Sequence, residues 1–321
     1  MKILVTGGAG FIGSNLVEKL LSHNQVSGVR VLDNLATGSI QNIKEFLDHP
    51  KFEFIEGDIC DYATCLKSTK GINLISHQAA LGSVPRSIKD PLTTNAVNIT
   101  GTLNIFTAAK ENNIQRVVYA ASSSTYGDSP DLPKTEDKIG NPLSPYAVTK
   151  YVNELYAKVY ATVYCLELIG LRYFNVFGPK QNPQGPYAAV IPLFCQAIIN
   201  KQTPKINGDG LISRDFTYIE NAVMANILAL FTKNSAAFNQ VYNIACGEQT
   251  TLLQLLNEIN LIANSNIQPI HLPDRPGDIK HSLADISKAK NLLNYTSIIN
   301  VKQGLQKTYN WYLQNSKFLS L

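Results

Sequence analysis

The chain reads as an α/β protein, a doubly wound parallel sheet with a smaller C-terminal unit attached. Three observations predict this. Apolar runs of strand length lie near 2–6, 29–33, 52–56, 72–77, 116–121 and 166–173, and helical patterns lie between them near 14–22, 40–48, 62–68, 92–112 and 145–163. Such alternation builds a parallel sheet with helices on both faces. A glycine-rich turn joins the first run to the first helix. Beyond Gly178 the alternation stops, Pro, Gly and Asn accumulate, and a further helix is expected near 187–200. The expected division is a first domain at 1–178, with 216–245 returning to it, and a second domain made of 179–215 and 246–321. A length of 321 residues suits two such units.

The first strand, Ile3-Leu4-Val5, runs into Thr6-Gly7-Gly8-Ala9-Gly10-Phe11-Ile12-Gly13-Ser14 and then a helix. Gly7 permits the sharp turn, Gly10 lets a pyrophosphate approach the backbone, and Gly13 lets helix pack on strand. The helix N-terminus offers amides and a positive dipole end to phosphates. Asp33 closes the second strand twenty residues beyond Gly13, where a carboxylate accepts from a ribose 2′-hydroxyl and repels a 2′-phosphate. No Arg lies at 33–38 to welcome that phosphate. The expectation is a Rossmann-type domain binding NAD rather than NADP.

Composition narrows the class. With 45% hydrophobic and 16% charged residues the chain is globular. A net charge of +4 without a run of Lys or Arg offers no nucleic-acid surface. The five cysteines (60, 65, 165, 195, 246) form no CxxC, which fits reduced thiols in a cytoplasm. Three apolar residues before the first glycine do not make a signal peptide, and no run approaches the ~18 apolar residues of a membrane span.

In a doubly wound sheet, ligands bind beyond the carboxyl ends of the strands. Asp58 follows the third strand, placed either to accept from an adenine amino group or to cap the helix at 62–68. His77 ends the fourth strand and is read as a strand-end residue, followed by Gln78-Ala79-Ala80, small enough to let a cofactor lie on the backbone. Leu81 to Ser87 forms a loop on the same edge, and Asp90-Pro91 starts the helix carrying Asn95. Ser122-Ser123-Ser124 follows the fifth strand. Ser144-Pro145 opens a helix that puts Tyr146 and Lys150 on one face. A tyrosine has an ordinary pKa of about 10. The ammonium and a positive nicotinamide would favour the phenolate, making Tyr146 a general base for an alcohol.

These motifs together resemble the extended short-chain dehydrogenase/reductases, within the NAD-dependent nucleotide-sugar epimerase/dehydratase group. The resemblance covers nearly the whole chain through TGGAGFIGS, DNLATG, the serine cluster, SPYAVTK, LRYFNVFG, GDG with RDF, and RPGD. The pattern is most like the bacterial UDP-N-acetylglucosamine 4-epimerase type, with QAALGSVPRSI, RYFNVFGPKQNP, RDFTYIEN and HSLADISKA. It implies NAD contacts at Gly7, Gly10, Phe11, Ile12, Gly13, Asp33, Asn34, Gly38, Asp58, Ile59, Gln78, Ala79, Ala80, Tyr146, Lys150 and Tyr173. It implies UDP-sugar contacts at Gly82, Ser83, Ser122, Ser123, Ser124, Asn175, Ala189, Val190, Lys205, Asn207, Arg214, Arg275, Asp278 and Ser282. Arg214 and Arg275 would bind the pyrophosphate, and Asp278 would orient a ribose or Arg275.

The implied reaction is C4 epimerisation. Tyr146 removes the 4-hydroxyl proton, Ser122 or its neighbour Ser123 bonds the 4-oxygen, and Lys150 holds the nicotinamide ribose. A 4-keto sugar turns over and is reduced on its other face. Related 4,6-dehydratases carry Asp-Glu where Ser123-Ser124 stand, and the decarboxylases keep a Glu near Ser124. Ser282, small where a Tyr would exclude an N-acetyl group, implies UDP-GlcNAc and UDP-GalNAc. UDP-glucose and UDP-glucuronate remain the alternatives, Arg86 being able to meet a carboxylate. The helices near 92–112 and 145–163 resemble those that pair in homodimers of the group.

Overall fold

The structure, a computed structural model, describes residues 1–184, 188–273 and 280–315. Its strands are β1 (Lys2–Thr6), β2 (Gly28–Asp33), β3 (Phe52–Glu56), β4 (Leu74–His77), β5 (Arg116–Ser122), β6 (Glu167–Tyr173), β7 (Val176–Phe177), β8 (Lys205–Asn207), β9 (Ser213–Arg214), β10 (Thr217–Tyr218), β11 (Gln240–Ile244), β12 (Thr250–Thr251) and β13 (Ile270–Leu272). Its α-helices are α1 (Phe11–Leu21), α2 (Tyr62–Thr69), α3 (Val84–Lys89), α4 (Pro91–Asn95), α5 (Gly101–Glu111), α6 (Pro145–Tyr164), α7 (Val190–Ile199), α8 (Ile219–Phe231), α9 (Leu252–Ala263), α10 (Ser287–Leu293) and α11 (Val301–Gln314).

Seven strands form one sheet in the order β11-β6-β5-β4-β1-β2-β3, every neighbour parallel. Side chains alternate across it, as a period of two requires. Ile3, Val5, Val29, Val31 and Leu171 pack with Leu16, Val17, Leu20, Ala222 and Ala225 of α1 and α8 on one face. Leu4, Leu32, Ile75, Val117 and Leu168 pack with Cys65, Ile105, Phe106 and Ala157 of α2, α5 and α6 on the other. Both faces are therefore dry, and each large apolar side chain buried there contributes about 1.5–3 kcal/mol. The strand order reverses between β1 and β4, which opens a crevice at their carboxyl ends.

The six strands read from the sequence all form. The helix expected near 40–48 is instead two 3₁₀ turns, Ile40–Asn42 and Lys44–Phe46, because Ile43 leaves helical backbone at φ −121°. The helix expected at 92–112 is broken between α4 and α5 by a π turn at Ala96–Thr100. Asn98 in that turn reaches back to the Leu81 N–H and carbonyl and to Thr149 Oγ1. A further helix, α3, starts at a Ser83 cap with Pro85 in its first turn. Asp61, not Asp58, caps α2, accepting from Ala63 and Thr64.

The remaining strands make three two-stranded pairs, β10-β7, β12-β9 and β13-β8. The buried Asp215 carboxylate ties this region together, accepting backbone N–H groups of Cys246 and Gly247 at 3.0 Å and of Ala284 at 3.2 Å. No helix among the described residues is long and apolar enough to cross a membrane. All five cysteines are free thiols.

Candidate active site

A cleft of about 800 Å³ runs along the carboxyl ends of the strands, over the β1–α1 turn. Gly7 takes φ +69°, and a Cβ there would meet Ala79 backbone at 2.7 Å. A Cβ on Gly13 would overlap the Gly7 carbonyl. The turn and the 78–80 segment are thus packed backbone on backbone. Gly10 caps α1, and the N–H groups of Phe11, Ile12 and Gly13 find no acceptor among the described residues. No acidic residue stands in that first turn. Unpaired amides at a helix N-terminus fit a phosphate.

Asp33 sits at the end of β2, buried, with Oδ2 accepting from the Ala9 N–H at 2.9 Å and Oδ1 from Leu35 at 2.8 Å. Burial raises its carboxyl above the ordinary range, and the two amides pull it back. Asp58 accepts from the Cys60 N–H at 2.7 Å and from Asn34 Nδ2 at 2.9 Å; chiefly the Cys60 bond holds it below the ordinary range. With Leu32, Asn34 and Ile59, these carboxylates form one end of the cleft. The residues therefore fit a dinucleotide whose free ribose hydroxyls face Asp33. Gly38 stays off the cleft wall and packs on Ala9 beneath the turn.

At the other end, α6 begins at Ser144, whose hydroxyl accepts from the Ala147 N–H at 3.1 Å, with Pro145 as the first helical residue. The helix aims Tyr146 and Lys150 at the end of β5. Lys150 is buried, and its ammonium donates to the Ala120 carbonyl at 2.8 Å, 5.9 Å from the Tyr146 ring centre. Burial pushes Lys150 down to about 8, opposed by Glu154. Burial also raises Tyr146, against a hydrogen bond with Ser122. In the protein alone desolvation sets the direction, so the lowering expected from the ammonium together with a positive nicotinamide does not come from the ammonium by itself. Ser122 Oγ accepts from Ser124 Oγ at 2.9 Å and from the Ser124 N–H at 3.2 Å. Ser122 and Ser123 line the cleft, whereas Ser124 supports Ser122 from behind.

Gln78, Ala79, Ala80, Gly82, Tyr173 and Asn175 complete the cleft wall, and Ser83 serves as the α3 cap outside it. His77 is buried between Thr6 Oγ1 at 2.7 Å and Thr102 Oγ1 at 3.0 Å. Burial, helped by Lys150, pushes its imidazole down to about 3, so it stays neutral.

A second cavity of about 490 Å³ shares Asn175 and Val176 with the cleft. Ala189, Val190, Lys205, Asn207 and Arg214 line it, between α7, β8 and β9. Arg214 donates to the carbonyls of Ser213 at 3.0 Å and Lys280 at 3.2 Å. Ser282 is not part of either cavity wall; its N–H donates to the Ser213 carbonyl at 3.1 Å. Arg275 and Asp278 lie outside the described residues.

Sequence reasoning passed over several lining residues. Ala36 and Thr37 belong to the DNLATG motif already read, so their signal was present. Thr93 and Val97 of the broken helix, and Phe216, Gln196 and Leu252 of the second cavity, reach their places only through tertiary packing.

Residues 3–245 match the model of the NAD dependent epimerase/dehydratase family. A curated relative, the UDP-glucose 4-epimerase of Mycolicibacterium smegmatis, is 35% identical over 319 residues, covering 99% of this chain and 100% of that protein. The solved structure of a UDP-N-acetylglucosamine 4-epimerase from Methanobrevibacter ruminantium, in complex with UDP-N-acetylmuramic acid, is 40% identical, with a TM-score of 0.92 and 98% of both chains covered. A UDP-glucuronic acid 4-epimerase from Bacillus cereus, solved with UDP-glucuronic acid and NAD, is 32% identical, with a TM-score of 0.91 over 98% of this chain and 100% of that one. The chain belongs to the NAD dependent epimerase/dehydratase family, and NAD is its cofactor.

Proposed function

We propose that this enzyme inverts C4 of a UDP-hexose, with UDP-GlcNAc and UDP-GalNAc as the preferred pair. The observation that carries the reading is the junction of the two cavities at Asn175 and Val176, close to Ser122, the register partner of Tyr173. A nucleotide sugar lying in the second cavity would present its hexose to Tyr146 and Ser122. Bound NAD supplies the reversible two-electron acceptor. Tyr146 takes the proton from the 4-hydroxyl and later returns it. Ser122 holds the 4-oxygen, with Ser123 beside it. Lys150 binds the nicotinamide ribose and, with the cofactor's positive ring, offsets the burial that raises Tyr146.

In this reading Gly7, Gly10, Phe11, Ile12 and Gly13 hold the NAD pyrophosphate, and Asp33 holds the adenosine ribose. Lys205, Asn207 and Arg214 hold the UDP. The sheet-bearing part, 1–178 with 216–245, is the cofactor domain, and 179–215 with 246–321 is the substrate domain. Serines at 123 and 124 lack the acid and base that dehydration at C5 and C6 needs, which favours epimerisation. The similarity to a UDP-N-acetylglucosamine 4-epimerase at 40% identity supports the acetylated pair. A second reading, UDP-glucuronate, is favoured by Arg86: it lines the cleft, and its guanidinium has no partner among the described residues.

Purified enzyme incubated without added cofactor should convert UDP-GlcNAc to UDP-GalNAc. Conversion of UDP-glucuronate alone would replace the acetylated reading with the second, and inertness toward every UDP-hexose would end both. We also infer a homodimer. Val148, Leu155, Val159 and Val163 leave an exposed apolar stripe on α6 near Ile88 and Leu92. Light scattering at the mass of one chain would refute that.

A further inference from the structure

Beneath the reacting end of the cleft lies a closed ring of hydrogen bonds that the proposed chemistry does not use. Asn226, on α8 and fully buried, donates through Nδ2 to the Tyr173 hydroxyl at 2.7 Å. Burial pushes the Tyr173 phenol up to about 12, so it keeps its proton. That hydroxyl donates to Gln78 Oε1 at 3.1 Å, and Gln78 Nε2 donates back to Asn226 Oδ1 at 3.0 Å. Ser76 Oγ joins by donating to Asn226 Oδ1 at 3.2 Å and accepting from Gln78 Nε2 at 2.9 Å. The second Asn226 amide hydrogen is taken by the Ala222 carbonyl at 2.8 Å.

The ring has a direction. Each amide orientation is set by the other: reversing Asn226 would face its Nδ2 against Gln78 Nε2, donor against donor, and reversing Gln78 would face its Oε1 against Asn226 Oδ1, acceptor against acceptor. Such a ring is cooperative in a dry site, and breaking one member leaves the rest unsatisfied. It joins β4, β6 and α8, and two of its members, Gln78 and Tyr173, form part of the cleft wall. Gln78 precedes Ala79, whose backbone closes on Gly7. The Ala79 N–H also donates to Thr6 Oγ1 at 3.3 Å, so displacing Gln78 would disturb the dinucleotide turn itself.

We propose that Asn226 is a positioning residue for the cofactor: through this ring it fixes Gln78 and Tyr173 as the preformed floor of the NAD cleft. Binding then loses little to ordering the site. The inference rests on the cleft being the NAD site.

The test uses the full chain and four variants: Asn226→Leu, Asn226→Asp, Tyr173→Phe and the double Tyr173→Phe/Asn226→Leu. Two quantities are measured: the NAD carried through purification, and the Kd for NAD⁺ of protein stripped of cofactor, by calorimetry. Asn226→Leu should weaken NAD⁺ about tenfold or more, the scale of a buried group left unpaired. Asn226→Asp keeps the shape but cannot donate to Tyr173, and should weaken binding as well. Tyr173→Phe should weaken it less. The double variant should be no weaker than Asn226→Leu, because the ring is already open. Unchanged NAD⁺ affinity in Asn226→Leu, or full additivity in the double, would overturn the proposal. Should Asn226→Leu not fold, Tyr173→Phe decides alone: parental affinity there is the overturning result. Parent enzyme that neither carries nor binds NAD would instead refute the assignment of the cleft, a distinct failure.

Discussion

The cleft and the second cavity, which we propose hold NAD and the UDP-sugar, are built differently. The cleft stands at the ends of strands of four to seven residues, covered by helices on both faces, and its phosphate site is backbone: the bare N–H groups at the start of α1. The second cavity stands on strands of two or three residues, β8 and β9, and its cations are side chains, Lys205 and Arg214. Arg214 is held by the carbonyls of Ser213 and Lys280, and its neighbour Asp215 anchors the chain around it. A backbone site is fixed once the sheet is formed. A side-chain site can be retuned residue by residue, which suits the part of an enzyme that selects among substrates.

This contrast predicts that changes at the cleft will abolish chemistry, cofactor or stability, while changes at the second cavity will shift KM. The largest effect should come from Tyr146→Phe, which should lower kcat about 10²–10⁴-fold with bound NAD unchanged. Steady-state rates with cofactor content measured on the same samples check this, and a loss of NAD would recast Tyr146 as a binding group. Next, Gly13→Ala drives a methyl into the Gly7 carbonyl and should destabilise the fold by about 1–3 kcal/mol, read in denaturant melts. A parental midpoint would show that the turn can yield.

Arg214→Ala should raise the KM for a UDP-sugar about tenfold while leaving NAD content alone, since it removes one charge-assisted partner. A fall in bound NAD would break the separation of the two regions.

Lys150 sharpens the comparison through pH. An unfolded lysine binds its proton below about 10.4, whereas folded Lys150 without cofactor does so only below about 8. Between those values the unfolded chain holds more protons, so stability of the cofactor-free protein should rise with pH there, by at most roughly 1.4 kcal/mol per unit. Melts of parent and Lys150→Met should differ in that slope, and parallel curves would contradict the shift. The smallest effect belongs to Ser282→Tyr. With Ser282 off both cavity walls, a few-fold loss on acetylated substrates relative to unacetylated ones is expected. Equal losses on both classes would remove Ser282 from substrate selection.

Much of the fold and of the cofactor side was legible in the sequence, because both are local. Six strands and the β1–α1 turn follow from short-range periodicity and glycine spacing, and TGGAGFIGS and YAVTK bring their functional atoms together within one turn or one helix. Asp33 was legible because a strand has a fixed rise, so its distance along the chain determines where it ends. Other features were not local. The π turn at Ala96–Thr100 follows from Asn98 reaching Leu81 across a loop. The Asn226 ring joins residues up to 150 positions apart. The balance at Tyr146 depends on how dry the end of β5 is.

The sequence by itself determined the doubly wound sheet, the dinucleotide turn, and the pairing of Tyr146 with Lys150, since hydrophobic period, glycine conformation and helical spacing act within a few residues. Only the tertiary structure decided which serine turns toward Tyr146, that Ser282 lies off both cavity walls, and that a buried amide from α8 supports the floor of the cleft. Those outcomes depend on burial and on contacts between distant segments, and neither is encoded at any single position.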